Sequence, residues 1–285
     1  MCVCVCACTP LSLSLSLSLS IYIYIYISRE EVRNTGFYSY NMGAEVSQDK
    51  GADPNVKDPS SNSSESNGTE AKTHQNTTQV ILPHNCEEIL KHADSSVDRS
   101  SKNKLLEQVY AGVFLNQNKK KYWAERESNY NCFFLFAQDL SITWAEDSRF
   151  WHWPLLEESS DGRVPIAELL DVCWLEVHGR FDISNLSRGP TYEVVFVVKL
   201  NDPAYGWEVP VNLRLTLPDG SKQEHKEKLM EKPRGKWIEI AAGEFKTTVE
   251  EAGEMEFSLY EYEGGKWKRG LLIKGVSIRP KASVK

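Results

Sequence analysis

From residue 129 onward the hydrophobic positions fall in short runs separated by turn residues, and at 140–144 and 254–261 they alternate with polar ones on the two-residue period of a half-buried strand. The pattern is sharpest at 254–261, where Met255, Phe257, Leu259 and Glu261 share one face and Glu254 has the opposite parity. Runs rich in Val, Ile, Phe, Trp and Tyr predict strands at 132–136, 140–144, 174–183, 192–200, 209–217, 237–240, 254–263 and 270–278. Pro218-Asp219-Gly220-Ser221 marks a turn between two of them. Only 166–170 reads as helical in this half. Many short strands with little intervening helix predict an all-β domain over 129–285, an antiparallel β-sandwich of jelly-roll type.

Upstream the period lengthens. Leu105, Val109 and Val113 form an apolar stripe, with Tyr110 and Phe114 beside it, which predicts a helix over about 101–116. Lys119–121 would sit at its C-terminal end, where cations suit the helix dipole. A shorter helix is expected near Ile89 and Ala93, with Asn85 and Glu88 as a capping box. Residues 81–128 therefore read as a short α-helical region. Residues 42–80 are Ser-, Asn-, Thr-, Asp- and Gly-rich, with too little apolar surface to offset the entropy of ordering, and read as a disordered tail.

Residues 2–27 are three two-letter repeats, CVCVCAC, LSLSLSLSLS and IYIYIYI, as translated dinucleotide repeats would give. Residues 1–41 are accordingly expected to be a gene-model artefact, with Met42 as the start. A start there would place Gly43 in the loose pattern for N-myristoylation, with Ser47 at the required offset. Removing Cys2, Cys4, Cys6 and Cys8 leaves Cys86, Cys132 and Cys173, too widely spaced for a disulfide framework or a zinc site. Reduced thiols in the cytosol follow as the simplest expectation, and the sequons at Asn62, Asn67, Asn76 and Asn185 become coincidental.

Charge and motifs narrow the function. The chain carries 33 Lys and Arg against 40 Asp and Glu, a formal charge of −7, which speaks against binding RNA or DNA phosphates. No apolar run approaches the roughly 18 residues of a membrane span. No nucleophile elbow, phosphate-binding glycine loop or HExxH motif occurs, so neither an enzyme nor a metal or cofactor site is expected. His152 and His178 stand out among the six histidines, and each is expected in a structural or surface role.

The most concentrated chemistry lies in DLSITWAEDSRFWHWP, residues 139–154. Trp144, Trp151 and Trp153 each bring an indole N–H that needs an acceptor and a flat face that suits either a protein core or a pyranose ring. By parity with Leu140 and Ile142, Trp144 belongs to the core. Glu261, on the apolar face of its strand, requires a buried cation, several donors or the hydroxyls of a ligand. A glycosidase working through Glu254 and Glu261 would need one of the two carboxyls held protonated, and nothing in the sequence provides for that.

This stretch, together with 166–182, Gly235-Lys236-Trp237-Ile238-Glu239-Ile240 and GEMEFSLYEYEGGKWKRGLLIKGVSIRP, resembles the plant phloem protein 2 lectins and the related tobacco agglutinin Nictaba over roughly 133–281. HNCEEIL and LLEQVYAGVFLNQ extend the resemblance to the longer A-type members. It implies a metal-free β-sandwich lectin for N-acetylglucosamine oligomers, chitin fragments and N-glycan cores, a homodimer of the cytosol and nucleus, found in phloem. Carried over position by position, it implies sugar contacts from Trp144, Trp151, Glu254 and Glu261. Within the tryptophan cluster Trp151 is expected to be the exposed stacking platform and Trp153 a packing residue, while parity and resemblance disagree on Trp144. Residues 222–228 match the tobacco lectin's nuclear-import run poorly, because acids interrupt the lysines. A structural or RNA-carrying phloem protein with incidental sugar binding is the alternative the resemblance leaves.

Overall fold

The computed structural model describes residues 80–158, 162–248 and 252–282. The repeats of 1–41, Gly43, the tail of 42–79 and the sequons at Asn62, Asn67 and Asn76 lie outside the described residues. The described elements are helices α1 (Cys86–Ile89) and α2 (Lys102–Ala111) and fifteen strands. In chain order the strands are β1 (Val113–Leu115), β2 (Lys120–Ala124), β3 (Asn131–Phe136), β4 (Ser141–Ile142), β5 (Trp151–His152), β6 (Leu155–Glu158), β7 (Gly162–Pro165) and β8 (Ala167–Leu169). They continue with β9 (Leu175–Asp182), β10 (Thr191–Tyr205), β11 (Val211–Thr216), β12 (Lys222–Glu227), β13 (Trp237–Lys246), β14 (Glu254–Glu261) and β15 (Arg269–Pro280).

One sheet runs β1-β2-β3-β15-β10-β13, with β8 also on β15 and β5 on β8; the other runs β12-β11-β14-β9-β4. Ring pairs bridge the two layers: Phe133 of β3 meets Phe181 of β9 at 4.7 Å, and Phe196 of β10 meets Phe257 of β14 edge-on at 6.0 Å. The antiparallel β-sandwich expected from the alternation is the fold. Its second sheet is covered at one edge by β12, which the strand pattern had not predicted. KQEHKE lacks an apolar face, and its charges suit an edge strand that must not recruit another chain.

Several local expectations are corrected by tertiary pairing. The helix predicted for 101–116 starts as read, with Ser101 accepting from the Lys104 amide at 3.3 Å, but stops at Ala111. Gly112, at φ 96°, turns the chain, and Val113–Leu115 pairs as a strand with Lys120–Tyr122. Val113 and Leu115 are buried on the strand's two-residue period, which overrides the helical stripe. The basic run 119–121 thus lies on a hairpin rather than at a helix end. The Asp94 carboxylate anchors the hairpin turn, accepting from the Gln117 and Asn118 amides at 2.6 and 2.7 Å. Asn85 precedes α1 in a left-handed conformation and makes no side-chain cap; its amide reaches Asn185 at 3.2 Å. Residues 166–170 are not helical, since Ala167–Leu169 joins the first sheet between β5 and β15. The stretch read as a helical region therefore contributes two strands to the larger sheet.

Asn131 ties that stretch to the sandwich. Fully buried, it accepts from Tyr122 Oη at 3.0 Å and donates its amide to the carbonyls of His84 and Asn185 at 2.6 and 2.8 Å. Asn131→Ala should cost about 2–3 kcal/mol, because it leaves buried partners unpaired. Denaturant unfolding checks the loss, and early proteolytic release of 80–124 is expected with it.

The three described cysteines are free thiols. Burial pushes the Cys86 and Cys132 thiols up, away from the reactive thiolate. Thiol labelling of the native protein at neutral pH should modify half-buried Cys173 well before either of them. Peptide mass spectrometry of the labelled protein checks the order.

Candidate functional site

The register of β14 decides where the two glutamates stand. Met255, Phe257 and Leu259 are buried on its inner face, and Glu261 follows them to 1% exposure. Glu254 is exposed at the opposite end of the strand, across from Asp182, whereas Glu261 pairs with Leu175. Seven residues of strand separate them, about 23 Å of rise. One short oligosaccharide does not reach both.

Glu261 forms a buried ion pair with Lys268, whose side chain has no solvent exposure. Its Oε1 also accepts from the Gly264 amide at 2.7 Å, and the Lys268 ammonium donates to the carbonyls of Cys173 and Lys266, both at 2.9 Å. The backbone of Lys268 exchanges hydrogen bonds with Val172 at 2.7 and 3.1 Å. Of the two roles left open for this carboxylate, the geometry is that of a structural ion pair. It closes the 262–268 loop onto the sandwich.

The tryptophans divide differently from their sequence expectation. Trp151 is 2% exposed, lies opposite Leu169 and donates its indole N–H to the Thr143 carbonyl at 3.0 Å. It is not an exposed platform. Trp153, half-buried as a packing residue, repeats the bond two residues along, donating to Ala145 O at 3.0 Å. These two indoles strap down the 143–145 turn, and Trp144 stands between their acceptors. At φ 61° Trp144 leaves the strand geometry, so parity with Ile142 no longer sets its direction. Its ring is half-buried, 5.3 Å from Phe150.

The Trp144 turn belongs to a set of loops at one end of the sandwich. The Thr143 amide donates to Glu176 O at 3.1 Å, and Leu170 N to Phe150 O at 2.9 Å. Tyr205 Oη donates to Asp171 at 3.0 Å. Gly206, at φ 82°, lies so close to the 262–268 loop that a Cβ there would stand 1.9 Å from the Trp267 carbonyl oxygen. Buried Trp207 donates to Arg269 O at 2.9 Å and holds the approach. Trp267 itself is 54% exposed on this clamped loop, and Tyr205 is 45% exposed nearby.

The outer face of the five-stranded sheet meets the same end. Trp174 stacks on Tyr262 at 4.3 Å and 13°, Tyr262 on Tyr260 at 5.4 Å, and the Arg214 guanidinium lies over Tyr260 at 5.0 Å. Glu176 accepts from Trp174 Nε1 at 3.1 Å and contacts His178 at 2.9 Å. Burial holds the Tyr260 phenol above its ordinary value. His152, exposed on the outward side of β5, pairs with Glu168 at 3.0 Å, a surface role.

Of the four residues carried over from the resemblance, the fold thus gathers Trp144, Trp151 and Glu261 at one end and leaves Glu254 at the other. Trp174, Tyr205, Tyr262 and Trp267, which the fold also places at this end, were not among the candidates read from the sequence. Their signal was weak: strand runs carry many aromatics, and only the loop position of Trp267, in GGKWK, distinguished it. Among the described residues no cluster of three His, Cys, Asp or Glu could hold a metal ion, and no helix is long and apolar enough to cross a membrane.

The family model described as Phloem protein 2 matches residues 130–280. Protein PHLOEM PROTEIN 2-LIKE A1 of Arabidopsis thaliana is 52% identical over 205 residues, which cover 71% of this chain and 82% of its own. A lectin of Luffa acutangula is 45% identical over 205 residues, 71% of this chain and 97% of its own. Among solved structures, the CBM22-1 xylan-binding domain of Paenibacillus barcinonensis Xyn10C overlays 52% of this chain and 90% of its own at 12% identity. The TM-score is 0.30, too distant a likeness to bear on the ligand.

Proposed function

We propose a lectin function for this chain, which belongs to the phloem protein 2 family: its loop end binds N-acetylglucosamine oligomers, such as chitin fragments and N-glycan cores. The observation that carries the reading is Trp267, 54% exposed on a loop clamped by a buried ion pair. Leaving about half of so large a ring in water forgoes about 1–1.5 kcal/mol of burial, and fixing its loop removes the freedom to fold it away. A rigid exposed indole suits a pyranose face.

Trp267 and Trp144 are the rings assigned to stacking, and the Glu176–His178 pair supplies polar groups for hydroxyl or acetamido contacts. Trp151 and Glu261 support the site from behind by holding the two loops. Glu254, about 23 Å along its strand from Glu261, would meet only a long chain or a second ligand. Each ring contributes about 0.5–1.5 kcal/mol, so one site binds weakly and a homodimer would raise retention through avidity. In this reading the protein acts as a cytoplasmic binder, without hydrolysing its ligand.

Trp267→Ala is the decisive substitution, because it removes the ring and leaves the core untouched. Retention on chitin should fall by about tenfold with unfolding stability unchanged, and Trp144→Ala should weaken retention as well. Wild-type protein that binds no N-acetylglucosamine oligomer on a glycan array would refute the assignment. Release of new reducing ends from chitin oligomers would overturn the non-enzymatic reading.

A further inference from the structure

Among the described residues five large apolar side chains are exposed, and the two aromatic ones, Tyr205 and Trp267, are neighbours at the loop end. The backbone fixes that proximity. Tyr205 is the last residue of β10 and lies opposite Arg269. At the next residue, Gly206, a Cβ would stand 1.9 Å from the Trp267 carbonyl oxygen and 3.0 Å from Lys268 Cα. Asp171 arrives on a third segment, because its neighbour Val172 exchanges both backbone hydrogen bonds with Lys268. Asp171, Tyr205 and Trp267 are thus each one residue from a single junction of Val172, Gly206 and Lys268.

Tyr205 is held as well as exposed. Its hydroxyl donates to Asp171 Oδ1 at 3.0 Å, and the Arg269 guanidinium approaches the same hydroxyl. A ring tied at its backbone and at its tip keeps one orientation while much of its surface meets water. The second carboxylate oxygen of half-buried Asp171 makes no hydrogen bond or ion pair among the described residues.

We infer that Tyr205 and Asp171 form a second sugar subsite beside Trp267, which holds the neighbouring pyranose of the same oligosaccharide by its apolar face and by one hydroxyl or acetamido donor. This subsite rests on the lectin function proposed for the loop end and gives a role there to two residues that had none. The phenol is occupied in fixing the ring, so Tyr205 offers its face rather than its hydroxyl. That face selects C–H surface. The free Asp171 oxygen only accepts, so it selects a donor. A pyranose supplies both on one residue. Arg269 balances the charge of Asp171 beside the phenol, which suits a neutral ligand. Fixed in advance, the ring loses little conformational freedom on binding.

The test is a titration of chitotriose into the full chain and its variants, read by calorimetry and by the NMR signals of the sugar C–H protons. In wild-type protein two groups of sugar protons should move upfield, one above each ring. Trp267→Ala should abolish one group and Tyr205→Ala the other, each with binding about tenfold weaker. Tyr205→Phe, which retains the ring face, should retain both groups. Asp171→Asn keeps an acceptor for the phenol but loses the free carboxylate oxygen, and covers the case in which Tyr205→Ala disturbs the fold. It should retain both groups with binding about fivefold weaker. Unchanged binding in Tyr205→Ala or in Asp171→Asn, where Trp267→Ala is impaired, would overturn the subsite and leave the lectin function standing. Wild-type protein that binds no chitotriose would overturn both.

Discussion

Replacing Lys268 by methionine should lower the free energy of unfolding by about 3–5 kcal/mol, the cost of leaving a buried carboxylate without its cation. Glu261 is 1% exposed, and β14 cannot rotate it outward without displacing Leu259 and Phe257 from the core. The carboxylate must then be protonated or hydrated in place. The double substitution Glu261→Leu/Lys268→Met should recover much of the loss, because apolar groups of similar volume leave no charge buried. Urea unfolding of the three proteins measures both effects. A single-site loss below about 1 kcal/mol would show that water reaches the pair. The same variants separate support from contact: if Glu261 touched sugar directly, the double variant would be stable and unable to bind. If it only holds the 262–268 loop, recovered stability and recovered retention should go together.

The second large effect is expected at Trp151. Trp151→Ala should cost about 3–5 kcal/mol, combining the lost burial of an indole with the cavity left behind. It also frees the Thr143 carbonyl that the indole N–H satisfies at 3.0 Å. Trp151→Phe should recover most of the packing but not the hydrogen bond, and so should loosen the Trp144 turn more than it destabilises the sandwich. Thermal unfolding and chitin retention, measured on the same samples, distinguish these outcomes. A Trp151→Ala protein as stable as wild type but unable to bind would restore the exposed-platform role.

The contrast with Trp267 shows how little a residue type discloses by itself. Both are tryptophans with a basic residue within two positions, in RFWHW and GKWKR. One is buried because β5 pairs with β8 beneath the loop end, and the other is exposed because its loop is held back by Lys268. Neither cause is local. The same holds for Val113, whose helical spacing from Val109 was genuine but which pairs with Tyr122 of β2 instead of adding a turn to the helix.

The β-rich runs and the turns between them determined the β-sandwich and seven of its main strands, and period-two alternation determined the inward direction of Glu261, since side-chain parity follows from backbone geometry alone. The block order of its motifs determined the family. Tertiary structure decided the rest: that Glu261 meets Lys268, that Glu254 stands at the far end of the same strand, and that Trp151 lies inside while Trp267 lies outside. These are facts about which loops share an end of the sandwich. Their contacts join residues far apart along the chain, and the local pattern of a sequence carries no record of such pairings.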